Sequence, residues 1–160
     1  MNKTHTYKVT TTWNGNKGTG TSGVKDYDRS HTASLEGKPE LYLTTDNAAV
    51  GDKNKLNPED LLVTAVSSCH MLSYLYLCSL EGIIVTDYSD NAIGMMIENE
   101  DGGGKFSEVA LYPKVTVQDI AMIDRAIDLH QKAHAMCYIA NSLNFPVYTK
   151  PTCIVEKHTA

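Results

Sequence analysis

An α+β fold, with two helices packed on antiparallel sheet, is what this sequence predicts. Three observations predict it. Residues 57–82 read as one long helix that opens at a capping asparagine and stops at a glycine. Residues from Asp119 to Met136 carry a second helix with a 3.6-residue apolar period. The remaining stretches are strand-like and divided by turn signals. The 160 residues suffice for one domain with its own core, so 1–160 is read as a single domain.

The elements follow in order. Tyr7 to Trp13 alternates loosely and reads as a strand. Trp13-Asn14-Gly15-Asn16 is a turn signal, and the Gly/Thr-rich stretch from Lys17 to Val24 reads as the returning strand of a hairpin. Tyr27 to Glu36 reads as extended. Gly37 to Lys55 is a polar loop, and a loop that long in a small domain is often functional. Asn57 suits the N-cap and Pro58 the first helical position. Glu59 and Asp60 oppose the positive end of the helix dipole, and Gly82 suits the C-terminal cap. The helix between them is about 36 Å long. Ile83 to Asn99 reads as a strand, Asp101-Gly102-Gly103-Gly104 as a hairpin turn, and Lys105 to Val117 as the return strand. Asp119 can cap the second helix, in which Met122, Ile123, Ala126, Ile127, Leu129, Ala133 and Met136 form the apolar stripe. Cys137 falls at or just past its end. Phe145 to Val155 reads as a final strand.

Charge and composition exclude several classes. Hydrophobic residues make up 42%, ordinary for a soluble protein, and the net charge of −5 argues against a nucleic-acid partner, which usually needs a basic face. Residues 61–80 carry no formal charge, so a membrane span must be weighed. Ser67, Ser68, His70 and Ser73 in its middle, with acidic flanks at Glu59, Asp60 and Glu81, reject it. A span has an apolar middle and Lys/Arg on one flank. The better reading is a helix buried on most of its faces. The N-terminus has no apolar stretch of the secretory type, so the chain reads as cytoplasmic. In a reducing compartment its four cysteines are catalytic, metal-binding or plain core.

The cysteines differ in what they can do. Cys69 and Cys78 lie nine residues apart on one helix, on opposite faces and roughly 13 Å apart along the axis. A disulfide needs Cα atoms within about 7 Å, so these two cannot pair. Cys78 and Cys153 read as core. That leaves Cys137, 68 positions after Cys69, as the candidate redox partner. A thiol in an apolar mid-helix site resists ionisation. Cys69 is also too far from the N-cap for the dipole to help. A reactive Cys69 therefore needs a cation from elsewhere. Of the two arginines, Arg125 sits among acidic helix-surface residues, and Arg29, in Tyr27-Asp28-Arg29-Ser30-His31, is the better candidate. Glu59, about two and a half turns upstream of Cys69, can hold the guanidinium.

Two other readings compete. His130, His134 and Cys137 fall at i, i+4 and i+7, and Cys69 or His70 would complete a tetrahedral zinc set, although no CxxC pair is present. The adjacent Cys69-His70 pair suggests a thiol hydrolase, but neighbouring helix residues point about 100° apart.

Asn57-Pro58-Glu59-Asp60-Leu61-Leu62, running through small and apolar residues to Ser67-Ser68-Cys69, resembles the first-cysteine helix of the OsmC/Ohr family. These are the osmotically inducible and organic hydroperoxide resistance proteins. Ala133-His134-Ala135-Met136-Cys137-Tyr138-Ile139-Ala140-Asn141 resembles the family's second-cysteine segment, and Trp13-Asn14-Gly15 with Gly18 and Gly20 also fits. The resemblance covers essentially the whole chain. It implies an intertwined homodimer with antiparallel sheets wrapped around a long central helix. It also implies a thiol-dependent peroxidase that uses no metal, haem or other cofactor. Its substrate would be an organic hydroperoxide and its reductant a dithiol. Cys69 matches the peroxidatic position, Cys137 the resolving one, Glu59 the glutamate that orients the site arginine, and Arg29 that arginine. The sequence departs from the family at Tyr-Asp-Arg-Ser-His around Arg29, at Tyr138 in place of a proline after Cys137, and at His70 after the first cysteine. The alternative is a non-enzymatic dimer that binds a small ligand or zinc, with thiols that only sense or pack.

Overall fold

The computed structural model describes residues 3–47 and 49–155. They fall into two compact units, Met1–Leu61 and Leu62–Ala160. The first unit holds a three-stranded antiparallel sheet of β1 (Thr10–Trp13), β2 (His31–Ser34) and β3 (Leu41–Leu43), in that order. Trp13 anchors it: the indole donates to the Asp28 carbonyl at 2.8 Å and meets the Tyr27 ring edge-on. A Cβ at Gly15 would strike that same carbonyl, which explains a glycine there. Lys17 to Val24, read from sequence as a returning strand, is instead a run of turns. Gly18 and Gly20 adopt positive φ, and their amides both donate to the Asn16 side chain, which replaces the ladder a strand would need. The polar loop expected over residues 37–55 contains β3.

The long helix α1 (Pro58–Leu80) begins where the sequence places it. The Asp60 amide donates to the Asn57 side chain at 2.7 Å, and the Asn57 amide donates back to the Asp60 carboxylate at 3.2 Å. This reciprocal cap satisfies two amides that the first helical turn leaves over. Gly82, with φ +70°, lets the chain reverse after the last turn, and the Ile83 amide donates to the Cys78 carbonyl there.

The second unit continues with β4 (Val85–Asp90), β5 (Ile93–Glu98), β6 (Gly104–Leu111), β7 (Pro113–Val117), α2 (Ile123–Met136), β8 (Val147–Thr149) and β9 (Thr152–Val155). Three segments expected as single strands are each two. Each break passes the chain between the sheet ordered β4-β7-β9 and the sheet ordered β5-β6-β8. Proline explains two breaks, because Pro113 and Pro151 have no amide to give a ladder. Asp90 organises this corner. Its carboxylate accepts from the Tyr112 amide at 2.7 Å and from the Ser67 hydroxyl of α1 at 2.6 Å. The sheets are also not purely antiparallel. β6 pairs with β8, and β7 with β9, in parallel.

α1 spans both sheets. Val66 packs with Val109 and Leu111, joined by Leu62, Phe106 and Phe145. Further along, Tyr74, Leu77 and Cys78 pack with Val115 and Val117 of β7 and Leu129 of α2. By length and composition α1 could cross a membrane, but these contacts identify a core helix. It is not buried on most faces within one chain, as the sequence suggests. Leu72, Tyr76 and Leu80 are 62%, 55% and 64% exposed and share one face.

Candidate functional site

α2 buries Ala126, Leu129, His130 and Ala133, the spacing of one helical face, and ends at Cys137. Cys137 is the C-cap, with φ −72° and ψ 106°. Its side chain is fully buried, whereas Cys69 on α1 is half-buried. All four cysteines are free thiols. The fold brings Cys137 beside Cys69. Burial, and then the neighbouring Cys69 thiol, push the Cys137 thiol up to about 11, partly opposed by the Ala140 amide, which donates to Sγ at 3.4 Å. Cys137 is therefore a protonated thiol at neutral pH. Cys78 and Cys153 lie apart from this pair. Cys78 belongs to the buried core cluster and Cys153 packs against it, as the sequence suggests.

Tyr138 does not obstruct the thiols: its side chain is 83% exposed. The backbone of Cys137 is extended, the conformation a following proline would impose, and here another group holds it. The Asn141 side chain donates to the carbonyls of Ala135 at 2.9 Å and Cys137 at 3.0 Å, tying the turn to the end of α2. Substitution Asn141→Ala is expected to cost about 0.5–1.5 kcal/mol in urea unfolding, the range for a lost intramolecular hydrogen bond. It should also slow any disulfide formed by Cys137.

His70 is the residue whose part the sequence does not show. It is 1% exposed and its Nε2 lies 2.9 Å from Nδ1 of His130, which is 3% exposed. One nitrogen donates and the other accepts. The two rings are near-parallel, and Tyr74, one turn after His70, stacks on His130 with centroids 3.9 Å apart. Burial, then the neighbouring His134, push His70 down to about 4, with Asp90 opposing. Burial and His70 push His130 to about 3. Both imidazoles are neutral at physiological pH. The signal for the pair is a histidine on the apolar stripe of each helix, which only the fold can match.

Arg29 and Glu59 belong to the first unit. Among the described residues no ion pair joins them. The Arg29 guanidinium folds back on Tyr27, 4.0 Å from the ring centroid, and Nη1 donates to the Tyr27 carbonyl at 2.9 Å. The segment is held locally. The Ser30 hydroxyl and amide both donate to Asp28, which keeps that carboxyl below its ordinary range, and Lys55 donates to the Ser30 hydroxyl at 2.8 Å. Arg125, set aside from sequence as a surface residue, makes a two-pronged pair with Glu81.

No three His, Cys, Asp or Glu side chains converge as a metal site among the described residues. The helical trio suggested for zinc does not converge: His130 and His134 both line a cleft of about 440 Å³, where His130 is engaged by His70, while Cys137 faces Cys69. Cys69, half-buried on α1, and Cys137, enclosed at the C-cap of α2, form a neighbouring pair of thiols.

A family model described as OsmC-like protein matches residues 51–151. No curated protein matches the chain. Among solved structures, an OsmC-like protein of unknown function from Vibrio cholerae is 26% identical, with a TM-score of 0.82 over 93% of this chain and 100% of that one. An organic hydroperoxide resistance protein from Elizabethkingia anophelis is 19% identical, with a TM-score of 0.69 over 98% and 100%. The organic hydroperoxide resistance protein OhrB of Bacillus subtilis is 20% identical, with a TM-score of 0.61 over 93% and 98%.

Proposed function

From the premise that the chain belongs to the OsmC-like family, we propose that it is a thiol-dependent peroxidase that reduces organic hydroperoxides to alcohols in defence against oxidative stress. The observation that carries this reading is the pairing of a half-buried Cys69 with an enclosed, protonated Cys137. Solved proteins named for organic hydroperoxide resistance, the two above among them, share the fold and support the substrate class.

The chemistry follows from that asymmetry. The Cys69 thiolate attacks the terminal oxygen of ROOH. The O–O bond breaks, and the alkoxide takes up a proton and leaves as ROH. Cys69 becomes a sulfenic acid. The Cys137 sulfur then attacks the Cys69 sulfur. The sulfenic hydroxyl leaves as water with the Cys137 proton, and the disulfide closes. A cellular dithiol returns both thiols by exchange. Arg29 is the proposed cation for the thiolate, with Glu59 to orient it. That role requires the guanidinium to leave Tyr27. Alkyl and lipid hydroperoxides should be preferred to hydrogen peroxide, because each buried CH₂ contributes about 0.8 kcal/mol. No metal or cofactor takes part.

The working form is a homodimer in the cytoplasm. The exposed stripe of Leu72, Tyr76 and Leu80 on α1 is the surface a second copy would cover. Sedimentation should give twice the 17.6 kDa chain mass, and Tyr76→Glu should shift it toward the monomer.

Intact mass spectrometry after one equivalent of an organic hydroperoxide tests the function. The expected result is loss of two hydrogens, with a Cys69–Cys137 crosslinked peptide. An unreacted protein sinks the peroxidase reading and favours a small-ligand or sensing role.

A further inference from the structure

The geometry points to the His70–His130 hydrogen bond as a clasp between the two thiol-bearing helices, which makes both histidines positioning residues for closure of the Cys69–Cys137 disulfide. This rests on the reading that those two thiols pair.

Cys69 and Cys137 are far apart in sequence and sit on separate helices. Their approach therefore depends on how α1 and α2 are rolled against each other. Apolar packing alone sets that roll weakly, since it is non-directional. The buried face of α2 is also smooth, because Ala126 and Ala133 are two of its four residues. A buried hydrogen bond is directional. Among the described residues, His70 to His130 is the one buried side-chain hydrogen bond between α1 and α2; the other links, from Arg125 and Lys132 to Glu81 just past the end of α1, are exposed and lie about three turns from Cys69. It is placed where it would matter. His70 follows Cys69 directly, and His130 precedes Cys137 by two turns on the same side of α2. Tyr74 stacks on the His130 ring and restricts its swing. Loss of one partner would leave a buried imidazole nitrogen unpaired, so the pair resists any roll that breaks it.

The test separates the two chemical steps. Wild type, His130→Phe and His130→Asn are mixed with one equivalent of hydroperoxide. Sulfenic acid is trapped with dimedone, and the disulfide is counted by mass. The asparagine amide stands near the position of Nδ1 and can bond His70, whereas phenylalanine keeps the stack on Tyr74 without the bond. Sulfenic acid should form at the wild-type rate in all three. Closure should slow by roughly tenfold to a hundredfold in His130→Phe and recover in His130→Asn. A folded His130→Phe that closes at the wild-type rate overturns the clasp. So does equal slowing of both steps, which a general loss of structure would give. If His130→Phe does not fold, the double variant His70→Phe/His130→Phe replaces it, since no imidazole is then left unpaired.

A second readout needs no peroxide. Equilibration with reduced and oxidised dithiothreitol measures the effective concentration of the two thiols, which should fall about tenfold or more in His130→Phe. A wild type that forms the disulfide in this buffer but ignores hydroperoxide refutes the peroxidase reading and leaves the clasp to be decided by the variants. An unchanged equilibrium in the variants refutes the clasp alone.

Discussion

Replacing Cys69 by serine is expected to lower hydroperoxide turnover by more than about a thousandfold, to the level of free thiols in solution. A serine hydroxyl cannot ionise at neutral pH, and no sulfenic acid can form on it. The contrast with Cys137→Ser makes the expectation specific. That variant keeps the attacking sulfur, so it should consume one equivalent of peroxide and then stop, with the sulfenic acid trappable. The roles follow from burial. Peroxide must reach the first sulfur, and Cys69 is the half-buried one. The second sulfur needs only its neighbour, and Cys137 is enclosed with its proton retained. Stopped-flow consumption of an alkyl hydroperoxide measures both variants, with a dithiol in excess for Cys69→Ser and with none for Cys137→Ser, since excess dithiol reduces a reachable sulfenic acid directly. Full turnover by Cys69→Ser would remove the proposed mechanism, and recycling of Cys137→Ser by dithiol at the wild-type rate would remove the intrasubunit disulfide.

The parts of the fold that were legible in the sequence are those fixed by local chemistry. Asn57, Pro58 and Gly82 mark the ends of α1 because caps depend on residues within one turn. Cys137 falls at the end of α2 for the same reason. The breaks at residues 91–92, 112 and 150–151 were not legible as such. Each is a one- or two-residue corner short enough to be absorbed into a strand, although Ser89-Asp90-Asn91, Pro113 and Pro151 carry the local turn chemistry that marks them. Parallel pairing of β8 and β9 was hidden because it depends on where the chain returns, not on what the strands contain. The candidate site divides along the same line. Cys69 and Cys137 stood out as residues in unusual settings. The partner of His70 could not be read, since it lies 60 positions away on another helix. Arg29 illustrates the converse. Its scarcity drew attention, yet its observed partner is the nearby Tyr27, a contact that composition does not reveal.

The buried histidines also give the protein an expected weakness to acid, and the sign can be worked out. In the unfolded chain a histidine takes up its proton near pH 6.5. In the fold His70 does so only at about 4 and His130 only at about 3, because burial penalises the charged ring. Between those limits the unfolded state binds more protons, so stability falls as pH falls. It is complete above about pH 6.5. The groups around the pair do not reverse this: His134 works in the same direction, Asp90 opposes it, and Tyr74 offers His130 an uncharged face. Each group in that window costs up to about 1.4 kcal/mol per pH unit, and the two together up to about 2.7. Total stabilities are about 5–15 kcal/mol, so a step from pH 7 to pH 5 should lower Tm by on the order of 10 °C. Carboxylates held low, such as Asp28, Asp52 and Glu81, add their own losses only near and below pH 4, where the unfolded carboxyls begin to protonate. Calorimetry at pH 7, 6 and 5 therefore isolates the histidines. The control is the double variant His70→Phe/His130→Phe, whose Tm should change far less over the same range. An equal slope in that variant would place the acid sensitivity elsewhere.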